Sequence, residues 1–240
     1  MADLVLDADV SAQLQRVVLE QRQHDRLRAQ GFRPLRRVLL TGPPGTGKTM
    51  SASALAGELR LPLFVIRLDG LITKFMGETA AKLRLVFDAM GETRGVYLFD
   101  EVDALGGERG RDNDVGEIRR VLNSFLQFLE QDQSDSLLVA ATNHPQLLDR
   151  AMFRRFDAVV QYPLPTAAVA RDVIRNRLAS VRLGRVAWGK VDQAAAGLSH
   201  GEITLAAEHA AKDTILAGAD SVGTSRLVAA LRERHSRTGF

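Results

Sequence analysis

The sequence contains no cysteine. That excludes a disulfide framework and any thiolate metal site, and it fits the cytoplasmic home expected for the chain. Aromatic residues are scarce, at 5% with one tryptophan and two tyrosines. No basic run interleaved with aromatics offers a stacking platform for single-stranded nucleic acid. No apolar run reaches the roughly 18 residues a membrane helix needs, and no basic-then-apolar signal pattern opens the chain. Charge of one sign is not concentrated either. The pI is 9.6, yet the formal net charge is only +3. Basic residues are scattered among acids, as in "ERGRDNDVGEIRR", and the densest pairs, Arg36-Arg37 and Arg154-Arg155, are short. Neither a nucleic-acid substrate nor a membrane is expected. Repeats, low-complexity tracts and long linkers are missing as well.

What is present is an ordinary globular composition, 45% apolar and 25% charged over 240 residues, enough to bury a full core. Short apolar runs bounded by turns alternate with helical periods, which argues for an α/β fold with a parallel sheet. Five runs read as strands: "RRVLLTG", "LPLFVIRL", "GVYLFDE", "SLLVAATN" and "AVVQYPL". Between them "TMSASALAGELR", "TAAKLRLVFDAMG" and "EIRRVLNSFLQFLEQ" read as helices. Residues 10–30 read as a first helix, with Val10, Leu14, Val17 and Val18 on one stripe and Gly31 as its stop. After Pro163 and Pro165 the period is helical to the end. The expected organisation is a large α/β domain over 1–165, opening with a helical segment 1–31, and a small all-α domain over 166–240.

One stretch asks for an explanation: "GPPGTGKT" at 42–49, placed between a strand and a helix. It fits G-x-x-x-x-G-K-[ST] in the context that pattern requires. Glycines let the loop fold so that consecutive N–H groups face an anion, and the following helix adds its N-terminal partial charge. Gly42, Pro44, Gly45, Thr46, Gly47, Lys48, Thr49 and the following Met50 are the candidate nucleotide-binding run. Lys48 would reach the β- and γ-phosphates, and Thr49 would offer its hydroxyl to Mg²⁺. ATP and Mg²⁺ are therefore the expected ligands, on a P-loop NTPase three-layer fold.

A second signal closes the strand "GVYLFDE". Asp100 stands at its C-terminal edge, where parallel sheets bind ligands, and would hold Mg²⁺. Glu101 would polarise the attacking water as general base. Asp103 suits a helix N-cap as readily as a catalytic task.

With these residues the chain resembles the AAA+ ATPases, in the branch that includes spastin, katanin and the membrane-anchored AAA proteases. The resemblance runs over essentially the whole chain. In "SLLVAATNHPQLLDRAMFRRFD" it implies that Asn143 is a polar sensor positioning the lytic water. It also implies that Arg154 and Arg155 are arginine fingers reaching the γ-phosphate on a neighbouring subunit. "RRFD" is contiguous here, as in the spastin form, and which arginine dominates is open. "ITKFMGET" resembles the first pore loop, with Phe75 and Met76 as the gripping pair, Gly77 for the turn and Lys74 flanking. A core position for Phe75 is the alternative. "GLSHGEI" resembles the turn at the small domain's nucleotide face, so Ser199, His200 and Gly201 are candidate contacts, with Gly201 where the family often has Ala and Glu202 where it usually has Asp. The segment "LDADV" could supply adenine contacts, although the family's usual glycine is missing there.

The resemblance implies a ring-forming ATPase, hexameric in the ATP state, that pulls on a protein substrate while the small domain acts as a moving lid. No H-E-x-x-H is present, so a separate adaptor or effector, such as a companion protease, is the expected partner. The alternatives are a nucleic-acid-remodelling ATPase and a nucleotide-gated scaffold that hydrolyses slowly.

Overall fold

The computed structural model describes residues 4–71, 76–105 and 112–238. The chain divides into two compact units. The first comprises Asp9–Gly42 and Lys48–Gln161. The second comprises the N-terminal segment up to Ala8, the stretch Pro43–Gly47 and the chain from Tyr162 onward.

The first unit holds five parallel strands: β1 (Arg37–Thr41), β2 (Leu63–Arg67), β3 (Val96–Asp100), β4 (Leu137–Thr142) and β5 (Ala158–Gln161), in the order β2-β3-β4-β1-β5. They are the five apolar runs expected from the sequence. Every residue of β4 is buried, as are the apolar residues of β1 and β3. Interior strands of a parallel sheet are covered on both faces, which is why they read as unbroken apolar runs. The edge strands β2 and β5 are more open.

Around this sheet lie α1 (Ala8–Arg22), α2 (His24–Ala29), α3 (Lys48–Leu59), α4 (Leu68–Leu71), α5 (Met76–Glu92), α6 (Asp112–Gln131) and α7 (Arg150–Phe153). The helix expected over 10–30 is broken at Gln23, whose backbone leaves the helical range at φ −106° and ψ 20°. The reason is visible in the burial. The apolar stripe Val10, Leu14, Val17 and Val18 ends before the break, and no residue of α2 is buried. Nothing apolar holds the second half on the first half's axis.

The rings of Phe87, Phe99 and Phe125 form the centre of the core, with Phe99 5.6 Å from Phe87 and 5.4 Å from Phe125. Edge-to-face and offset contacts of this kind add to the burial of the rings themselves. Phe99 precedes Asp100, so the cluster anchors the strand end that carries the acidic pair. At the far end of the sheet, Asp157 accepts the backbone amides of Arg36 and Arg37 and the Arg37 guanidinium. This carboxylate fixes the start of β5 beside the start of β1.

The second unit is helical: α8 (Ala167–Arg177), α9 (Trp188–Ala195), α10 (His200–Leu216) and α11 (Thr224–Thr238), with a single parallel bridge between Leu183 and Val222. Thr166 caps α8 directly after the two prolines. The core is rich in alanine, including Ala194, Ala206, Ala207 and Ala210, which lets helix backbones approach closely. Val5, from the N-terminal segment, packs against it.

Candidate active site

Within the first unit, the end of β1 and the start of α3 bring Gly42 and Lys48 together. Lys48 is 6% exposed, and its Nζ donates to the Gly42 carbonyl at 2.7 Å. Burial pushes its pKa down to about 8, while the nearby charges of Asp100 and Asp103 hold it up. One residue later, the Thr49 hydroxyl donates to Asp100 Oδ2 at 3.1 Å. A hydroxyl beside a carboxylate, both open to solvent, is a hard-oxygen pair of the kind Mg²⁺ takes. The two residues singled out for the cation are therefore neighbours.

Glu101 follows Asp100 and stands in the left-handed region at φ +58°. A non-glycine residue there costs on the order of 1 kcal/mol, and such strain gathers at functional positions. The other Asp100 oxygen, Oδ1, accepts the Glu101 amide at 3.0 Å. This bond turns the chain sharply out of β3 and leaves Glu101 half-buried. Asn143 is half-buried beyond the end of β4. Asp103 lies inside the 3-10 turn Val102–Leu105 rather than before a helix. It accepts the Thr142 hydroxyl at 2.7 Å. Thr142 had no distinguishing signal in the sequence, where it reads only as the last residue of a buried strand.

The arginine pair is divided. Both follow α7, which Asp149 caps by accepting the Ala151 amide. Arg155 is ion-paired to Glu130 at 2.8 Å and donates to the Ala151 carbonyl at 2.8 Å. The Arg154 side chain is exposed and makes no ion pair or hydrogen bond among the described residues.

Within the second unit, the loop residues Pro43–Gly47 meet the first turn of α10. Thr46 is buried and its hydroxyl donates to the Pro43 carbonyl at 2.8 Å. Gly201 donates its amide to the Gly45 carbonyl at 2.9 Å. Gly45 has φ +74°, and a Cβ there would fall 2.6 Å from Ser199 Oγ. Only glycine fits that position on both counts. Ser199 and Glu202 close a capping box at the same turn. Burial pushes the His200 imidazole pKa below its usual value, and neither ring nitrogen has a hydrogen-bond partner among the described residues. The side chains of Leu4 and Leu6 lie against Gly47.

Met50 is exposed in the first turn of α3. Lys74 and Phe75 lie outside the described residues, as does the side chain of Met76; the backbones of Met76 and Gly77 begin α5. Most of the loop "GGERGRDNDVG" lies outside them too. Among the described residues, no helix is long and apolar enough to cross a membrane.

The Lys48 environment makes a pH prediction. If Lys48 meets the phosphates, a phosphate chain would stabilise the charged ammonium, and binding would raise the Lys48 pKa above its ligand-free value of about 8. Below pH 8 the lysine is already charged and binding takes up no proton. Above pH 8 it must gain one, and nucleotide affinity falls by up to tenfold per pH unit. Titrating ADP in EDTA from pH 7 to 9.5 removes the metal from the comparison. A flat affinity over that range would contradict the assignment of Lys48 to the phosphates.

Comparison with known proteins places the chain in a family. The model of the ATPase family associated with various cellular activities (AAA) matches residues 38–164. An uncharacterized AAA family ATPase, y4kL, of Sinorhizobium fredii is 38% identical over 216 residues, which cover 89% of this chain and 64% of that protein. An ATP-dependent zinc metalloprotease, FtsH 1, of Symbiobacterium thermophilum is 34% identical over 233 residues, covering 93% of this chain and 39% of that protein. The chain thus spans about two thirds of the first relative and two fifths of the second. The crystal structure of the FIGL-1 AAA domain superposes with a TM-score of 0.77 at 25% identity, covering 97% of this chain and 82% of that one.

Proposed function

This chain belongs to the AAA family of ATPases and hydrolyses ATP, and we propose that it does so in a ring, to pull on a protein substrate. Proteins of the family generally assemble as rings. The observation that carries the proposed site is the Thr49–Asp100 pair beside a strained Glu101 at the C-terminal edge of the sheet.

In the proposed mechanism the loop glycines and Lys48 hold the β- and γ-phosphates, with Met50, Ser199, His200 and Gly201 as nucleotide neighbours. Thr49 and Asp100 would hold Mg²⁺, which when bound would neutralise charge developing on the phosphoryl oxygens. Glu101 takes a proton from the attacking water, and Asn143 orients that water. An arginine from a neighbouring subunit spreads over the γ-phosphate oxygens. Arg154 is the stronger candidate, because Arg155 is bound to Glu130 and the Ala151 carbonyl of its own subunit. The small helical domain would move between nucleotide states as a lid, and Phe75 and Met76 would grip the polypeptide, with Lys74 and Gly77 shaping the loop. That the substrate is protein is supported by the relatives, among them zinc metalloproteases. A separate adaptor or effector, such as a protease, would choose the target.

The test uses Glu101→Gln, which should bind ATP and stay closed on whatever it grips. It is purified from its native cells with ATP, beside a Glu101→Gln/Phe75→Ala control. The proposal expects a protein held by the first and lost from the second. Nucleic acid held by both, with no protein enriched, would replace protein by nucleic acid as the substrate. Nothing held by either would favour a slow nucleotide-gated scaffold.

A further inference from the structure

The hydroxyl of Thr142 is used twice. It donates to Asp103 Oδ1 at 2.7 Å and accepts the His144 amide at 3.0 Å. Thr142 is 1% exposed. It closes β4, and Asn143 lies between Thr142 and His144, the two ends of the turn that this hydroxyl closes. Asp103 belongs to the 3-10 turn Val102–Leu105 that follows β3. That turn is bound in turn to Glu101, whose carbonyl accepts the Ala104 amide at 2.9 Å.

The sheet holds each of these ends to another strand, Thr142 to Thr41 of β1 and Asp100 to Arg67 of β2, but does not pair the two with each other. The pairing of β3 with β4 stops at Phe99 and Ala140. Glu101 and Asn143 both lie beyond it, past the ends of β3 and β4. The Asp103–Thr142 bond links the two segments past that point. A hydroxyl donating to a carboxylate is a charge-assisted bond, stronger than a neutral one.

We propose that Asp103 and Thr142 are a positioning pair, which sets the distance between Glu101 and Asn143. Neither touches the water or the phosphates. The bond fixes the turn 142–144 on one side and the turn 101–105 on the other, so the acid and the amide share one frame. This rests on the reading of Glu101 and Asn143 as the groups that prepare the water. Displacing a reacting group by about 1 Å can cost on the order of 10²-fold in rate, so the pair matters for kcat more than for binding.

Thr142→Val keeps the shape and removes the hydroxyl. Its kcat should fall tenfold to a hundredfold, with KM for ATP within threefold of the parent. Thr142→Ser, which keeps the hydroxyl, should stay within threefold on both. Asp103→Ala removes the same bond from the other side. The double variant Thr142→Val/Asp103→Ala should then be no slower than the slower single variant, because one bond can be lost only once. Parental kcat in Thr142→Val would overturn the proposal. So would equal losses in the valine and serine variants, or losses that multiply in the double. Should the valine variant not fold, a parental kcat in Asp103→Ala would overturn it equally well. Glu101→Gln is assayed beside them. If that variant still turns over ATP, the reading of the water site fails; if it is dead while Thr142→Val is parental, only the positioning pair fails.

Discussion

Glu101→Gln is expected to lower ATP turnover by about 10²–10⁴-fold, the usual contribution of a positioned general base, while leaving ATP affinity within a few-fold of the parent. The substitution keeps the volume of the side chain and its place beyond β3. It removes the negative charge, and with it the ability to accept the water's proton. Lys48, Thr49 and Asp100, which would hold the nucleotide, are untouched and keep their own contacts. The backbone offers an independent check. Glu101 occupies φ +58°, where glycine sits without strain. Glu101→Gly should therefore relieve on the order of 1 kcal/mol of local strain and still lose turnover. A variant no less stable than the parent yet inactive would mark a position held for chemistry at a cost in stability. Single-turnover hydrolysis, equilibrium ATP binding and thermal unfolding of the two variants together decide this. Normal turnover in either would remove Glu101 from the proposed mechanism.

The second large effect concerns Arg154. An inserted guanidinium is worth about 10³–10⁵ in phosphoryl transfer, so Arg154→Ala should reduce turnover of the assembled protein by at least about 10³-fold with ATP binding retained. Arg155 should behave differently. Its ion pair to Glu130 and its bond to the Ala151 carbonyl fix the end of α7 against α6. Arg155→Ala should cost stability first, and turnover only as far as the arginine segment is displaced. If Arg155→Ala is the inactive variant and Arg154→Ala the active one, the two roles are exchanged.

Much of this was legible in the residues themselves. The five strands could be read because a covered parallel sheet needs unbroken apolar runs, and β1, β3 and β4 supply them. The need for glycine in the loop could be read because it answers a backbone requirement, and the structure gives Gly42, Gly45 and Gly47 positive φ angles. The break at Gln23 was not legible, since it depends on where the apolar stripe stops meeting a partner surface. The clamp between Asp103 and Thr142 was not legible either. It joins residues 39 apart in sequence through the pairing of two strands, and no local pattern encodes that. The division of the arginine pair depends in the same way on Glu130, which lies on another helix.

The central claim is that each active site is completed by its neighbour, and mixing subunits tests it most directly. An Arg154→Ala subunit keeps its own Glu101 but offers no finger. A Glu101→Gln subunit offers a finger but has no base. Each alone should be nearly inactive. Mixed in equal amounts with ATP and Mg²⁺, they should regain a substantial fraction of parental turnover, because some Glu101 sites now face an intact Arg154. A mixture no more active than the sum of its parts, with assembly verified by light scattering, would contradict completion in trans and with it the account of this ATPase as a ring.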